Sequence, residues 1–447
     1  MSRTTLGSVS DLVLRADAVL AAERLAPDEP AEDFGRLRGH FALHLRGDDV
    51  HLLVRDPLGV NKLFFALGPD GEIDSSNHLV DLVRAGHRPA RIWSVPSGHL
   101  VRIWPRARRL VLEKHSALAF ADDAPADAAA LPSHAARIRA RLDATFRALQ
   151  PLLAGRPVYV TLSGGLDSTA VAALAKLHLE RFVDRFVGIT FSVRDESSEP
   201  EAEPGTDGYY ARRVAEGLGI PLELVELSAD ALPDLVDEVL LAGQDFRDFN
   251  VHCGLVNAAL ARAIAARTPP GSARPVVLTG DTMNELMADY TPVSYGTSQY
   301  YALPRLGPGR LRRFLVSGLD TGDREVGVFA RHGVDTIQPY ALHPEVYTAL
   351  PGAFLELEGS KQRLGRLVMG DLVPSFIYER PKVRAQVGGS NKVGGTLAAL
   401  VDRGIDAVAL ERRFCQLTGF APDELKRWIR AGFYRFTATY PEEQRFQ

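Results

Sequence analysis

The run of residues with the clearest chemical potential combines glycines, hydroxyl-bearing side chains and one carboxylate. It reads Ser163-Gly164-Gly165-Leu166-Asp167-Ser168-Thr169, follows an apolar strand pattern, and precedes a helix that we expect to begin at Ala170. Glycines let the backbone approach a ligand, and N–H groups at a helix N-terminus bind phosphate oxygens. Because Asp167 would repel phosphate unless a cation lay between them, we predict that it binds Mg²⁺.

An ordinary strand-to-helix turn is the alternative interpretation of this 163–169 loop, but such a turn needs neither the acid nor the hydroxyl groups. No Gly-Lys-Ser/Thr follows the glycines, so the loop is not of the Walker type. A second run at residues 279–286, Thr-Gly-Asp-Thr-Met-Asn-Glu-Leu, also follows an apolar strand pattern. The two runs place glycine and polar side chains at the ends of two predicted strands.

The elements around these loops are predicted to form an α/β fold. Apolar runs at residues 157–162, 185–192, 222–227 and 275–279 alternate with helical patterns that include residues 170–180 and 208–218. This alternation predicts a parallel sheet covered by helices on both faces. We expect Ser133 to cap a long helix ahead of the first strand, and the pattern after about residue 300 is mainly helical.

The first 115 residues are predicted to form an antiparallel β-rich domain. Short apolar runs separated by turn signals predict strands at residues 41–45, 51–54, 62–67 and 100–104, whereas residues 11–25 are predicted as a helix. Residues 116–132 are rich in Ala, Asp and Pro, which is typical of a linker. We therefore predict domains at 1–115 and 133–447, joined by a linker at 116–132.

Composition excludes several classes of protein. The 447 residues are 46% hydrophobic and 24% charged with a net charge of −4, so we expect no general attraction to nucleic acid or anionic membranes. The basic clusters at 106–109 and 310–313 contain little aromatic interleaving and are interpreted as solvated faces. Two cysteines, Cys253 and Cys415, exclude a disulfide framework, and no signal peptide or membrane-spanning run is evident. We expect a cytoplasmic enzyme.

The 163–169 loop resembles the pyrophosphate loop of the asparagine synthetase superfamily, whose members cleave ATP between the α and β phosphates and adenylate a carboxylate. Further motifs follow in order: the 277–286 segment, residues 320–340, and Arg380-Pro381-Lys382 with Gly388-Gly389-Ser390. The last of these is most similar to β-lactam and carbapenam synthetases. The resemblance implies a domain of the pyrophosphatase-loop type that uses ATP and Mg²⁺.

The resemblance also assigns roles to individual residues. Lys382 falls at the essential lysine of these synthetases, where an ammonium group would stabilise negative charge that develops during acyl transfer. Lys361 falls at a phosphate-binding lysine. Asp281 takes the place of a substrate-binding Glu or Tyr and is a candidate for binding the amine or accepting its proton. Asp323 and Glu325 both lie near the position of a partner glutamate, and the choice between them stays open.

The chain departs from the family pattern within its second motif. Asn284 replaces the second Mg²⁺-binding Asp, and an amide oxygen is a weaker ligand for this hard ion. Either the neighbouring Glu285 compensates or one metal ion binds weakly. Thr282 and Met283 replace small residues and alter the shape of the pocket, so we expect a substrate different from that of asparagine synthetase.

The front of the chain is similar to the glutaminase domain of glutamine-dependent asparagine synthetases, with Arg55-Asp56-Pro57-Leu58-Gly59 among the matching segments. That glutaminase uses a cysteine directly after the initiator Met, where this sequence has Ser2, and no cysteine precedes Cys253. A serine hydroxyl without a base is a poor substitute for a thiolate. We expect the domain to be a structural remnant that does not hydrolyse glutamine, with a misassigned start codon as the alternative.

Together these features predict an AMP-forming amide synthetase that joins a small carboxylate to an amine, within one molecule or between two, in natural-product biosynthesis. The alternatives are an ammonia-dependent asparagine synthetase, an RNA-modifying enzyme, or an inactive homologue that acts as a binding partner. We expect no nucleic-acid or membrane partner, and a homodimer is one open form of assembly.

Overall fold

The computed structural model describes residues 9–15, 18–68, 72–194, 205–318, 323–389, 395–425 and 443–445, and every structural statement below concerns these residues. Side chains are described throughout them except at 317–318, 323–324 and 443–445. The N-terminal elements are β1 (Leu12–Arg15), β2 (Ala18–Val19), α1 (Ala31–Phe34), β3 (Leu37–His40), β4 (Ala42–Arg46), β5 (His51–Arg55), β6 (Phe64–Leu67), β7 (Ile73–Ser76), α2 (Leu79–Arg84), β8 (Ile92–Ser94), β9 (His99–Trp104) and β10 (Arg109–Lys114).

Strands and helices alternate in the next part of the chain. Its elements are α3 (Leu131–Leu153), β11 (Pro157–Thr161), α4 (Leu166–Leu179), β12 (Arg185–Arg194), α5 (Asp207–Leu218), β13 (Leu222–Ser228), α6 (Val236–Gly243), α7 (Asp248–Ala266), β14 (Val276–Leu278), α8 (Met283–Leu286), β15 (Val293–Tyr295) and β16 (Ser298–Tyr300). The remaining part is mainly helical. Its elements are α9 (Pro308–Gly318), α10 (Asp323–Arg331), β17 (Asp335–Ile337), α11 (Pro339–Leu342), α12 (Glu345–Thr348), α13 (Gly352–Leu355), α14 (Ser360–Met369), α15 (Ala385–Gly388), α16 (Gly395–Val401), α17 (Ala407–Thr418) and β18 (Glu443–Arg445).

The central sheet confirms the predicted α/β class. Its five strands are parallel and lie in the order β13-β12-β11-β14-β17, and all three residues of β14 are buried. From β11 the chain adds β12 and β13 on one side, then returns to add β14 and β17 on the other. Open parallel sheets bind ligands at the carboxyl ends of the strands where this direction reverses, here between β11 and β14.

The N-terminal part forms antiparallel sheets, as predicted, in the orders β2-β1-β3, β10-β9-β5-β4 and β7-β6-β8, and β18 from the last part of the sequence pairs with β10 at the edge of the second sheet. The predicted helix at residues 11–25 is wrong, because β1 pairs with β3 and places Leu12 opposite His40. Leu12, Val13 and Leu14 are buried in this arrangement, and Asp11 accepts a hydrogen bond from Ala42 N at 2.8 Å. Pairing with a distant strand thus overrides the local helical pattern.

The segment predicted as a linker packs against the helical part of the chain. Ala121 N donates to Thr348 O at 2.9 Å, and the carboxylate of Asp122 accepts from Nε of Arg312 at 2.9 Å. Arg312 is fully buried and also donates to the backbone oxygens of Tyr347 and Leu350. The expectation that the 310–313 cluster is entirely solvated is therefore wrong at Arg312, and helix α3 begins at Leu131 rather than after a cap at Ser133.

The N-terminal sheets share hydrophobic core with the α/β part. Phe64, Leu79 and Ile92 belong to the same buried cluster as the helices over one face of the parallel sheet. Polar contacts accompany this packing, since His40 Nε2 lies 3.2 Å from Gln338 O and Lys62 Nζ donates to Gly243 O at 3.0 Å. None of the helices described in the structure is long and apolar enough to cross a membrane.

Candidate active site

The 163–169 loop and the 279–286 run meet at one cavity of about 230 Å³ at the carboxyl ends of β11, β12 and β14. Its wall combines residues from both loops with side chains from α7, α14 and the segment ahead of α15, among them Ser163, Asp167, Ser168, Gly280, Asp281, Asn284, Asp289, Lys361, Lys382 and Arg384. These residues lie far apart in sequence. The sheet's direction reversal therefore brings the predicted loops together, as the parallel topology requires.

The 163–169 loop makes a tight turn directly into a helix. Helix α4 begins at Leu166, four residues earlier than predicted, so Asp167, Ser168 and Thr169 occupy its first turn. Gly164 has a φ of +70°, and a Cβ at this position would lie only 2.4 Å from Cβ of Tyr210. Only glycine fits this conformation and this space, and the turn directs backbone N–H groups of the helix N-terminus toward the cavity.

The loop after β14 contacts this helix N-terminus closely. A Cβ at Gly280 would lie 2.8 Å from Ser168 N and 3.0 Å from the carbonyl carbon of Asp167. Thr282 follows in a left-handed conformation with a φ of +77°, and its hydroxyl donates to Oε1 of the buried Gln338 at 2.7 Å. Gly280 thus sets the distance between the two loops.

Lys361 connects the two loops electrostatically. Its ammonium donates to Oδ2 of Asp167 at 2.5 Å and to Oδ1 of Asn284 at 2.7 Å, and it lies 3.2 Å from Oδ2 of Asp289. The Lys361 side chain is buried, as expected for a group with so many partners. The structure thus brings together Asp167, Asn284 and Lys361, which were singled out from the sequence separately.

Lys382 lies on the other side of the same polar groups. Its Nζ donates to Oδ1 of Asn284 at 2.8 Å, lies 2.9 Å from Oδ2 of Asp289, and also donates to the backbone oxygen of Asp289. Asp289 was missed in the sequence. The sequence feature that could have identified Asp289 is its position five residues after Asn284. A carboxylate there supplies a negative charge close to the position at which Asn284 replaces the acid of the family pattern.

The two ammonium groups differ in their electrostatic environments. Burial lowers the pKa of Lys361, but Asp167 and Asp289 more than compensate, so that its pKa lies above the usual value. Burial, together with the neighbouring Lys361, lowers the pKa of Lys382 to about 8, although Asp289 opposes this change. Lys361 is therefore held as a fixed cation, whereas Lys382 is the more easily deprotonated of the two.

The pKa values of the two carboxylates, Asp167 and Asp289, are shifted in opposite directions. Burial raises the pKa of Asp167, and Lys361 offsets this only in part. Burial also acts to raise the pKa of Asp289, but Lys361 and Lys382 hold it below the usual value. Two ammonium groups and two carboxylates thus neutralise one another, which allows all four to lie in a largely buried cluster.

Arg380 also lines the cavity and contacts the backbone of the 163–169 loop. One guanidinium nitrogen donates to Ser163 O at 2.8 Å, and another donates to Oδ1 of Asp207 at 2.6 Å. The guanidinium also lies 4.1 Å from the centre of the Tyr210 ring. Burial raises the pKa of Asp207 to about 6, although Arg380 acts in the opposite direction. Arg380 therefore fixes the loop conformation through its backbone.

Some predicted site residues do not line the cavity. Gly164 and Thr169 lie behind the loop surface, and Thr169 is fully buried. Glu285, predicted as a compensating metal ligand, instead accepts a hydrogen bond from the Tyr290 hydroxyl at 2.5 Å. Asp281 does line the cavity and is half-buried.

The structure shows where the Glu325 side chain lies, whereas it does not describe the Asp323 side chain. The carboxylate of Glu325 is buried away from the cavity and accepts from the Thr279 hydroxyl and from Nε2 of Gln338, each at 2.7 Å. Glu325 therefore holds the Thr279 side chain at the start of the second loop and does not face the cavity. Asp323 begins helix α10, but its side chain lies outside the described residues, as do Ser2 and Ser390.

The side-chain oxygens in the cavity fit a hard divalent cation only if a bound ligand supplies further oxygens to it. Asn284 and Asp289 offer oxygens to both ammonium groups, and Asp167 offers one to Lys361. Within the described ranges, no group of three or more His, Cys, Asp or Glu side chains is arranged to hold a metal ion. Mg²⁺ is commonly held by one or two carboxylates plus the phosphates of a substrate, and the residues present meet that requirement.

Residues 137–319 match the family model described as asparagine synthase. This stretch runs from within α3 through α9 and includes the 163–169 loop, the 279–286 run and Asp289, whereas Lys361 and Lys382 lie beyond it. The chain thus contains an asparagine synthase-type domain at residues 137–319, which implies a family of ATP-dependent ligases.

Proposed function

We propose that the protein is an ATP- and Mg²⁺-dependent, AMP-forming amide synthetase, which adenylates a substrate carboxylate and transfers the acyl group to an amine. The observation that carries this proposal is the convergence of Asp167, Lys361 and Lys382 through Asn284 and Asp289 in one cavity. Four segments distant in sequence meet there. Such a cluster of fixed charges suits a reaction in which phosphate and carbonyl oxygens gain negative charge.

ATP fits the cavity with its triphosphate at the start of α4. Ser163 and Ser168 supply hydroxyl groups there, and the helix N-terminus supplies backbone N–H donors. Ile189 and Phe191, at the carboxyl half of β12, provide an apolar wall that suits the adenine base. The nucleotide then spans from an apolar to a strongly charged region, which fixes its orientation.

The reaction has two steps. First, an oxygen of the substrate carboxylate attacks the α-phosphorus, the bond to the bridging oxygen breaks, and pyrophosphate leaves with the electron pair. Second, the amine attacks the acyl carbon, loses a proton, and AMP leaves as the acyl–oxygen bond breaks. Lys361 pairs with phosphate oxygens, and Lys382 offsets the charge on the carbonyl oxygen and on the departing phosphate. Asp281 is the proposed group for holding the amine or accepting its proton.

Asp167, Asp289 and Asn284 are the residues that would hold Mg²⁺, which supplies neutralisation of phosphate charge when bound. Their ion pairs with Lys361 and Lys382 keep the carboxylates paired until phosphate oxygens enter the site. Exchange of one set of charge pairs for another avoids leaving a buried charge uncompensated.

We infer that the N-terminal part supports the synthetase rather than supplying ammonia. The residues before 253 contain no cysteine that could act as a glutaminase nucleophile. Arg55 and Asp56, which match glutaminase segments, are fully buried and bind the backbone of residues 58–61 and Val95. A substrate amine rather than glutamine-derived ammonia is therefore the proposed nucleophile.

The test is pyrophosphate release from ATP and Mg²⁺ in the presence of a panel of amino-acid-like carboxylates, with mass spectrometry of the products. We expect one class of carboxylate to stimulate release and the Asp167→Asn variant to abolish it. Asp237→Asn is the matched control, because Asp237 is paired at the surface with Arg413 and should leave release unchanged.

The same assay separates the proposal from its alternatives. Formation of asparagine from aspartate, ATP and ammonium would identify an ammonia-dependent asparagine synthetase instead. Absence of ATP–Mg²⁺ binding in calorimetry would contradict the enzymatic proposal and favour an inactive binding partner. RNA binding that weakens steeply with salt would favour the RNA-modifying alternative.

A further inference from the structure

The wall of the cavity includes a thiol that the proposed chemistry does not use. Cys253 lies on α7, and its neighbours on the cavity face of that helix are Phe249, Val256 and Asn257. Cys253 is half-buried and forms no disulfide. The other cysteine of the sequence, Cys415, lies on α17 and outside the cavity wall. A small molecule that enters the cavity can therefore reach Cys253.

A buried guanidinium, that of Arg384, lines the same cavity. Arg384 is only 9% exposed, and its Nε and Nη2 atoms have no hydrogen-bond partner among the described residues. The guanidinium lies 4.8 Å from the centre of the Tyr290 ring and 5.3 Å from that of Tyr301. Aromatic faces stabilise a cation in part, but they replace neither its lost hydration nor an anion. Arg384 therefore indicates, independently of the thiol, that this part of the wall suits a negatively charged group.

Cys253 lies within electrostatic range of this guanidinium. Burial lowers the pKa of Arg384, whereas Tyr290, Cys253, Tyr301 and Asp289 act to raise it. Burial also raises the pKa of Tyr301, and Cys253 adds to that change. Because charge interactions weaken with distance, the thiol lies close to both side chains.

The two tyrosine hydroxyls near Arg384 are directed to other groups. The Tyr290 hydroxyl donates to Oε1 of Glu285 at 2.5 Å. The Tyr301 hydroxyl lies 2.6 Å from Nδ1 of His252, and burial raises its pKa. Neither tyrosine therefore supplies a negative charge to the guanidinium.

Asp289 already neutralises two other cations. Its Oδ2 lies 3.2 Å from Nζ of Lys361 and 2.9 Å from Nζ of Lys382. A cation beside a cysteine favours the thiolate, and the thiolate is the nucleophilic form. Cys253, beside Arg384, thus combines access from the cavity with the electrostatic environment of a reactive thiol.

We propose that Cys253 is a modification site, a reactive thiol that hydrogen peroxide oxidises reversibly to a sulfenic acid inside the cavity while Arg384 stabilises the thiolate. The thiolate sulfur attacks one peroxide oxygen, the O–O bond breaks, and the leaving hydroxide takes up a proton to form water. The sulfur loses an electron pair and the peroxide gains it.

A small thiol reverses this oxidation. Its thiolate attacks the oxidised sulfur and displaces hydroxide, and a second thiolate attacks the small-molecule sulfur of the resulting mixed disulfide and releases Cys253. The inference goes beyond the proposed function, because thiol chemistry at Cys253 requires no turnover of ATP.

The first test compares the two cysteines by alkylation of the reduced full-length protein with iodoacetamide, followed by mass spectrometry of the peptides. Cys415 is the internal control, because burial and the neighbouring Glu411 raise the pKa of its thiol. We expect Cys253 to react at least about tenfold faster than Cys415. Equal rates, or a faster reaction at Cys415, would overturn the proposal.

Variants of the arginine test its part in this reactivity. Arg384→Gln should slow alkylation of Cys253 about tenfold, whereas Arg384→Lys should keep most of the rate. An unchanged rate at Cys415 shows that each variant is folded. Arg366→Gln is the matched control, because Arg366 also stacks on a tyrosine but is exposed on α14. An unchanged Cys253 rate in Arg384→Gln would contradict the role of Arg384.

The second test treats the protein with hydrogen peroxide and traps sulfenic acid with dimedone. We expect the adduct on Cys253 and not on Cys415, with a lower yield in Arg384→Gln. Dithiothreitol added before dimedone should abolish the adduct. Adducts on neither cysteine, or equally on both, would overturn the proposal, as would oxidation of Cys253 that dithiothreitol does not reverse.

Protection by nucleotide separates this proposal from the proposed function. ATP–Mg²⁺ should slow alkylation of Cys253 and leave Cys415 unaffected. Fast alkylation of Cys253 without protection would support the reactive thiol and contradict nucleotide binding in this cavity. Protection of a Cys253 that reacts no faster than Cys415 would support nucleotide binding and overturn the reactive thiol.

Discussion

Lys361 and Lys382 share the partners Asn284 and Asp289, yet their surroundings give them separate tasks. Lys361 also pairs with Asp167 at the start of α4, next to the proposed triphosphate. Among the described residues, Lys382 forms no hydrogen bond or ion pair with that loop and lies toward Tyr290 instead. Position and charge therefore support the proposal that Lys361 binds phosphate and that Lys382 stabilises the acyl-transfer step.

Replacement of Lys382 should separate the two half-reactions. In Lys382→Gln we expect acyl transfer to slow by about 10²- to 10³-fold, the usual effect of removing one group that stabilises developing charge. Pyrophosphate release in a single turnover should fall much less. Rapid-quench measurement of acyl-AMP and of amide product checks this. Equal slowing of both steps would remove the specific role of Lys382.

Asp289 compensates for Asn284 if both contribute oxygens to the same metal ion. The Asp289→Asn variant should then need about tenfold more Mg²⁺ for half-maximal ATP binding, because a carboxylate is replaced by a weaker amide ligand. A magnesium titration followed by calorimetry measures this, and Asn284→Asp in the same background should restore affinity. An unchanged magnesium requirement would contradict the assignment.

At the scale of elements, the contact between the β14 loop and α4 sets the geometry of the site. Gly280→Ala should weaken ATP binding at least tenfold and destabilise the fold by about 1–3 kcal/mol, because its Cβ would overlap the backbone of Asp167 and Ser168. Gly307→Ala is the matched control, since a Cβ there meets nothing within 4 Å. Calorimetry and urea denaturation provide the two measurements.

The segment at 116–132 is held by a buried ion pair rather than left free. Asp122→Asn should lower the free energy of unfolding by about 3 kcal/mol, because Arg312 would keep its charge without its partner carboxylate. The neighbouring Asp123→Asn serves as control, since the Asp123 side chain is 96% exposed and should change stability by less than about 0.5 kcal/mol. Equal effects would contradict docking of this segment.

At the scale of the whole molecule, buried histidines couple stability to pH. His40 lies between the N-terminal sheets and Gln338, and burial lowers its pKa to about 4. Its pKa rises to about 6.5 on unfolding, so the unfolded state takes up protons first as the pH falls. Stability present at neutral pH is therefore lost between about pH 6.5 and 4.

The size of this effect follows from the difference in the pKa of His40. We expect His40 alone to reduce the free energy of unfolding by about 2 kcal/mol between pH 7 and pH 5. Urea denaturation at several pH values measures the slope, which should be shallower in His40→Gln than in the wild-type protein. Parallel slopes for the two proteins would show that His40 does not contribute.

Much of the fold was predictable because its signals are local. The alternation of apolar runs and helical patterns between residues 133 and 300 predicted the parallel sheet, and strands such as β5 and β9 were visible from their apolar residues and flanking turns. Residues 11–25 were predicted incorrectly. The strand conformation of residues 12–15 depends on pairing with β3, a partner that no local pattern reveals.

The spacing of glycine, hydroxyl and carboxylate side chains in the 163–169 loop was enough to predict a turn that leads directly into a helix, because that signal depends on neighbouring residues, whereas phosphate binding there stays a prediction. The sequence also singled out Lys361 and Lys382, though only by resemblance. It could not reveal that Asp289 joins them, that Glu285 accepts a hydrogen bond from Tyr290, or that the buried Arg384 packs against the Tyr290 and Tyr301 rings. Those facts depend on which distant segments the folded sheet brings within a few ångströms, and hence on tertiary structure.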